Sequence, residues 1–165
     1  MYQVSKLIIH IDGSSQGNPG PSGVGGVFES GDGKKLLEIS KYIGEGTNNR
    51  AEYQALITAL TMLSAKHLNW LLVSDAEILI KTDSELLYNQ VNGDYKVKDW
   101  VLKKLHSKVI GLQKVLPKFK MVLIPREKNR VCDRLAKRAI KDALEKYGIK
   151  PKDKNIRKAQ RLFAQ

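Results

Sequence analysis

Cysteine, acidic side chains and long apolar runs are what this sequence has least of. Cys132 is its single cysteine, so no intrachain disulfide can form and a cysteine zinc cluster is excluded. No apolar stretch is long enough to span a bilayer. The opening residues, MYQVSKLIIH, lack the three-part layout of a secretory signal. A soluble cytoplasmic protein with no membrane partner is the expectation. Acidic residues number 17 against 29 lysines and arginines, a net charge of +12. That excess points to a polyanionic partner, nucleic acid or an acidic membrane surface, although a generally basic protein shows the same balance. The 165 residues suit one domain, and 42% hydrophobic content excludes global disorder.

The patterning is that of an α/β protein. Residues 6–12 (KLIIHID) form a short β-branched run, read as a buried strand. The loop SSQGNPGPSG follows, and residues 23–29 and 35–43 read as two further strands. Short connections favour an antiparallel meander of these three. A helix is expected over about 49–66, where Leu56, Ala59, Leu60 and Leu63 recur at helical spacing. Then come a strand over 77–82, helices over 84–91 and 98–115, a strand over 119–124 and a long helix over 130–147. The order βββαβααβα predicts a five-stranded mixed sheet flanked by helices. Residues 1–147 read as one domain and 148–165 as a basic tail, set off by Gly148 and Pro151. Ile156, Ala159, Leu162 and Phe163 form one face of a short helix in that tail, read as docked on the domain or frayed. Its QRLF string resembles a sliding-clamp peptide only in part.

Four carboxylates occupy positions that stability alone does not explain. Asp12 ends the first strand, on the face shared by Ile8 and His10, because side chains alternate. Asp83 follows the strand EILIKT in the same way, and strand ends are favoured ligand sites in α/β sheets. Glu52 precedes Leu56 by four residues and Ala59 by seven, which puts it on the core-facing stripe. Asp133 precedes Ala136 by three residues and Ile140 by seven, which puts it on the core-facing stripe of the last helix. Singly, Asp12 reads equally well as a turn former, and Glu52 and Asp133 as favourable charges near helix N-termini. Together they predict convergence. Converging carboxylates repel and are costly to desolvate unpaired, and a divalent cation relieves both penalties. Oxygen ligands suit Mg²⁺ or Mn²⁺. Two such ions, about 4 Å apart, can activate water and stabilise a leaving oxygen.

Four blocks now carry a resemblance. IDGSSQGNPGPSGVGGV, GTNNRAEYQAL, IKTDSELLYNQVNG and NRVCDRLAKRA, in this order and spacing, resemble the ribonuclease HI family over about residues 6–147. The resemblance implies a ribonuclease H-like fold and an endonuclease that cuts the RNA strand of an RNA/DNA hybrid. It implies two Mg²⁺ or Mn²⁺ ions, 5′-phosphate and 3′-OH products, and a monomer, with double-stranded RNA as a second candidate substrate. Asp12, Glu52, Asp83 and Asp133 would be the catalytic, metal-binding acids. Asn18, Thr47, Asn48 and Asn49 would line the hybrid groove, and Gly13 and Ser14 would approach the RNA. Amides and hydroxyls suit the 2′-OH that marks RNA. Capping of the helix by TNN is the bland reading for one of these residues.

The sequence also departs from the family. Many members carry a histidine on the loop before the last helix, but here that loop reads PREKN. His10, His67 and His106 all lie elsewhere, and a packed strand histidine is the reading for His10. Arg126 or Glu127 is a candidate for the vacant role, and Arg126 for a phosphate contact. Glu85 stands where many relatives carry glutamine, and a carboxylate there repels phosphate unless water or metal intervenes. A long basic handle is missing. Lys96, Lys98, Lys103 and Lys104 with Tyr95 and Trp100 offer a reduced hybrid-binding patch, or a solvated helix face with Trp100 turned inward.

Overall fold

A computed structural model describes residues 3–64 and 72–148. The tail helix, the last residues of the first expected helix and His67 lie outside them. Alternation shapes the first strand, β1 (Val4–Ser15). Leu7, Ile9 and Ile11 are buried on one face, while Ile8 and His10 are half-covered on the other. β2 (Gly20–Ser30) and β3 (Lys35–Gly46) follow through short turns and pair antiparallel, β1 with β2 and β2 with β3. Helix α1 (Asn48–Ser64) then carries the chain across the sheet, and β4 (Leu72–Thr82) pairs parallel with β1. After α2 (Glu85–Val91) and α3 (Trp100–Val115), β5 (Phe119–Leu123) adds parallel to β4. A 3₁₀ turn (Arg126–Lys128) leads into the last helix, α4 (Arg130–Tyr147). The sheet order is β3-β2-β1-β4-β5.

The expected sequence of strands and helices is therefore present, and most ends fall within a few residues of expectation. β1 runs further than expected because Gly13, Ser14 and Ser15 continue the ladder against Val24, Gly23 and Ser22. Local side-chain bonds set the starts of the later helices. Ser84 Oγ accepts from the Leu87 amide, and Asp99 Oδ1 accepts from the Leu102 amide at 2.9 Å. Gly148 ends α4 in the left-handed region, with φ of 60°, as its place in the sequence suggests.

The helices divide between the two sheet faces. α1 and α3 cover one face, where Leu56, Leu60, Leu63 and Val109 meet Ile9, Ile11 and Ile80. Tyr53 is buried there and donates its hydroxyl to Gln90 Oε1 at 2.8 Å, tying α1 to α2. α4 covers the other face, with Cys132 and Leu135 against Val27. No helix among the described residues is long and apolar enough to cross a membrane.

Glycine lets α4 lie close on β2. A Cβ built on Gly25 falls 2.1 Å from the Cys132 carbonyl oxygen and 2.8 Å from the Ala136 amide. Backbone atoms cannot yield as a flexible side chain does, so α4 must lift to admit a methyl group. Gly25→Ala is expected to lower the unfolding free energy by about 1–3 kcal/mol. Urea denaturation of the parent and variant measures this, with the midpoint moving and the slope holding.

Candidate active site

Strand register brings the first two acids together. The last parallel pair between β1 and β4 is His10 with Lys81. Two residues further along each chain stand Asp12 and Asp83, side by side at one end of the sheet. Glu52 arrives from the other direction, in the second turn of α1. There the helix backbone presses on the end of β1: a Cβ on Gly13 falls 2.1 Å from the Ala51 carbonyl carbon. The Gly13 amide donates to Glu52 Oε2 at 3.1 Å. As a result, one ligand oxygen from each of Asp12, Glu52 and Asp83 lies within 4.8 Å of the others. Asp12 and Glu52 are buried, and Asp83 is half-buried.

This proximity is electrostatically expensive. Burial, and then the charge of Asp83, push the Asp12 carboxyl up to about 7. Burial and the charges of Asp12 and Asp83 raise Glu52 well above the usual carboxylate range. Without a cation, the cluster holds protons that ordinary carboxylates release. The donors fit a hard divalent ion such as Mg²⁺ or Mn²⁺, because all three offer carboxylate oxygen. The nearby softer groups are unsuited. Burial above all pushes the Cys132 thiol up to about 12. His10 is half-buried, and its Nε2 lies 3.9 Å from Glu29. Asp133 is half-buried in the first turn of α4, and its charge contributes to the raised Asp12. Its Oδ2 accepts from Lys137 Nζ at 2.8 Å, and it stands outside the compact group of three.

Asn129, which was not singled out in the sequence, stands immediately before α4. Its side chain makes no cap bond. Instead it is buried, and Nδ2 donates at 2.8 Å both to the Ile11 carbonyl and to Asp83 Oδ1. Both partners are acceptors, so the amide must point its nitrogen at them. One side chain thus ties β1, next to Asp12, to the carboxylate of Asp83 and to the start of the helix that carries Asp133. Its Oδ1 is buried with no partner among the described residues.

The remaining candidates spread around this centre. Gly13, expected to approach RNA, is buried and commits its amide to Glu52, so its lack of a side chain serves α1. Ser14 is half-buried beside it. Thr47 caps α1, with Oγ1 accepting from the Arg50 amide at 3.3 Å. The Asn48 amide donates to Asn18 Oδ1 at 3.2 Å, which joins the first loop to the helix start. Asn18, Asn48 and Asn49 are exposed. Glu85 is exposed, and its Oε1 accepts from the Tyr95 hydroxyl at 3.2 Å. Lys96, Lys98 and Arg126 are exposed as well. Trp100 does not turn inward: it is 65% exposed, with Lys104 Nζ 4.6 Å from its ring centroid.

Two consequences are measurable. In metal-free protein, the folded state keeps protons on Asp12 and Glu52 that the unfolded chain has already lost. Stability must therefore fall as pH rises from about 4 towards the Asp12 value of about 7. The expected Tm in chelator declines through this window, and the decline is shallower in Asp12→Asn. The gain in Tm from added Mg²⁺ is larger above pH ~7 than near pH ~5, because the cation binds the ionised acids. Asn129→Ala is expected to weaken Mn²⁺ binding by about 10- to 100-fold, the usual effect of losing a side chain that orients a metal ligand. Calorimetric titration of Mn²⁺ checks this, with circular dichroism to verify the fold.

Comparison with known proteins agrees with this geometry. Residues 10–139 match the family model described as reverse transcriptase-like. A bifunctional protein of Mycobacterium tuberculosis is 36% identical over 141 residues, which are 85% of this chain and 37% of that protein. The chain therefore spans little more than a third of that relative. A ribonuclease HI of Halobacterium salinarum is 35% identical over 134 residues, 81% of this chain and 64% of the relative. Among solved structures, a type 1 ribonuclease H isolated from compost by a metagenomic approach superposes with a TM-score of 0.78 at 44% identity. That match covers 86% of this chain and 99% of the other. The same compost enzyme in complex with an RNA/DNA hybrid gives 0.78 at 43% identity, covering 84% and 99%. With its sheet order, its converging acids and a likeness that spans the whole of a solved type 1 enzyme, this chain belongs to the ribonuclease HI family.

Proposed function

We propose that this protein is an endonuclease that hydrolyses the RNA strand of RNA/DNA hybrids with two divalent ions, Mg²⁺ or Mn²⁺. The convergence of Asp12, Glu52 and Asp83 within 4.8 Å carries the reading. A cluster this costly to assemble is retained for the cation it binds. The structure of a 43% identical relative with an RNA/DNA hybrid supports the substrate class. Residues 1–147 form the catalytic unit. A cytoplasmic setting accords with a chain whose one cysteine is buried and whose charge favours nucleic acid.

Each group has a task. Asp12, Glu52, Asp83 and Asp133 hold the ions, which when bound lower the pKa of water and stabilise charge on the leaving oxygen. Gly13 and Asn129 keep Glu52 and Asp83 in place through their N–H donors. The exposed amides of Asn18, Asn48 and Asn49, with the hydroxyls of Ser14 and Thr47, face sugar and 2′-OH groups on the hybrid. Lys96, Lys98 and Arg126 neutralise backbone phosphates. Glu85, held by Tyr95, contacts the hybrid through water rather than directly. The products carry 5′-phosphate and 3′-OH ends.

The test is cleavage of a hybrid labelled on each strand in turn, with Mg²⁺, Mn²⁺ or chelator, beside double-stranded RNA and DNA. Metal-dependent cutting of the RNA strand alone is the expected result. Cutting of double-stranded RNA would widen the substrate range, and tight binding without cutting would leave only a hybrid-binding module. Asp83→Asn is expected to lose about three orders of magnitude in rate, the scale for removing a group that stabilises transition-state charge. Its Tm should change little, since the amide oxygen can still accept from Asn129 and only a repelling charge is lost.

A further inference from the structure

The basic residues of α4 are engaged unequally, and Lys146 in the last turn has its Nζ 5.4 Å from the Tyr147 ring centroid. Lys137, Arg138 and Lys141 each have a carboxylate one turn away: Asp133 at 2.8 Å, Asp142 at 3.5 Å and Glu145 at 3.9 Å. Arg130 and Arg134 have no such partner among the described residues, and neither does Arg126 on the preceding turn. These three arginines, with Glu127 and Asp133, line one open trough of about 470 Å³.

Helix stability does not account for this placement. Arg130 is the first residue of α4 and Arg134 lies one turn on. The start of a helix carries positive partial charge, so cations there are unfavourable and acids are preferred. Four-residue spacing also puts Arg130 and Arg134 on the same face, about 6 Å apart along the axis. Two unpaired guanidinium groups on one face of a trough suit a phosphate, which accepts their forked donors. The trough is positioned for such a ligand, because Asp133 lines it and also acts electrostatically on Asp12.

We propose that Arg130 and Arg134 form a phosphate subsite for the strand being cut, holding a backbone phosphodiester beyond the scissile one. The proposal rests on the reading of this chain as a hybrid nuclease. It adds a contact that neither the acids nor the groove residues supply, and it makes the N-terminal half of α4 part of the substrate surface. The RNA strand is then held at two points: by the acids at the scissile phosphate and by the arginines at a neighbouring one.

The experiment measures hybrid binding by fluorescence anisotropy in chelator over a range of salt, for the full chain and for Arg130→Ala/Arg134→Ala. Arg138→Ala/Lys141→Ala is the control, since it removes the same charge from the same helix at paired positions. The subsite variant is expected to bind about tenfold more weakly, with a salt slope smaller by about 1 to 2. The control should change affinity by less than about twofold, as expected of exposed ion pairs. Arg130→Lys/Arg134→Lys should recover part of the loss, because charge returns without the fork. Shortening the hybrid from one end at a time should abolish the difference between parent and subsite variant for one end only. Equal losses in subsite variant and control, an unchanged salt slope, or a difference that survives both truncations would each overturn the subsite. If the parent binds in this assay but cuts with neither Mg²⁺ nor Mn²⁺, the nuclease reading fails while the binding comparison still decides the subsite.

Discussion

Parallel pairing of β1 with β4 forces Asp12 and Asp83 together against their mutual repulsion, and the rest of the site is arranged around that conflict. Two carboxylates just beyond the last paired residues of adjacent parallel strands cannot move apart without breaking the ladder that ends at His10 and Lys81. The core under α1 holds the ladder in place, with Ile9, Ile11, Ile78 and Ile80 all but fully buried. Glu52 then approaches over Gly13 and makes the conflict worse. Hydrophobic burial therefore supports a constellation that electrostatics disfavours, which is how preorganised charged sites are generally maintained. A divalent cation relieves the strain only when it is bound, so the stability withheld from the metal-free fold is returned as metal affinity.

Much of this was readable in the sequence, because strand alternation and helical spacing are local properties. The KLIIHID and EILIKT runs placed Asp12 and Asp83 at strand ends, and the spacing to Leu56 and Ala59 placed Glu52 on a buried face. What was not readable depends on pairs far apart in the chain. Gly13 lies 39 residues from Glu52, and nothing in its own neighbourhood says that a helix backbone will press against it. Asn129 lies 118 residues from Ile11, and a residue just before a helix is ordinarily assigned to capping. The side chain of Trp100 was open to two readings because it begins its helix, where the apolar stripe is not yet established. Lys104, one turn later, shelters its ring and leaves it at the surface.

Buried acid and exposed base lie close together at the site. Asp12, Glu52, Asp83 and Asp133 gather where β1, β4, α1 and α4 meet, while the lysines and arginines that outnumber the chain's acids and give it +12 lie mostly at the surface. A basic surface around an acidic centre draws a polyanion in without neutralising the acids before the cation arrives. Asp133 shows the boundary between the two regimes. One of its oxygens is paired with Lys137, yet its field still reaches Asp12. A cation drawn to Asp133 would have to compete with a lysine on its own helix, whereas Asp12 and Glu52 have no lysine or arginine partner among the hydrogen bonds and ion pairs of the described residues.

The loop PREKN, which lacks the histidine found in many relatives, shows how the work is divided in this chain. Its two ends face opposite ways. Arg126 is exposed towards the trough, and Asn129 is buried against Asp83. A histidine in this loop would be a titratable group able to move protons. Arginine stays charged at any working pH and asparagine never ionises, so neither of these residues can serve as an acid or base. The loop's carboxylate, Glu127, is exposed and lines the trough with Arg126 and Asp133, while Arg126 supplies charge outward and Asn129 rigidity inward. Burial and the Lys81 ammonium hold His10 below its usual range and favour the neutral ring. In the metal-free chain burial and mutual repulsion raise the proton affinity of Asp12 and Glu52, and a bound cation reverses this by favouring the ionised acids.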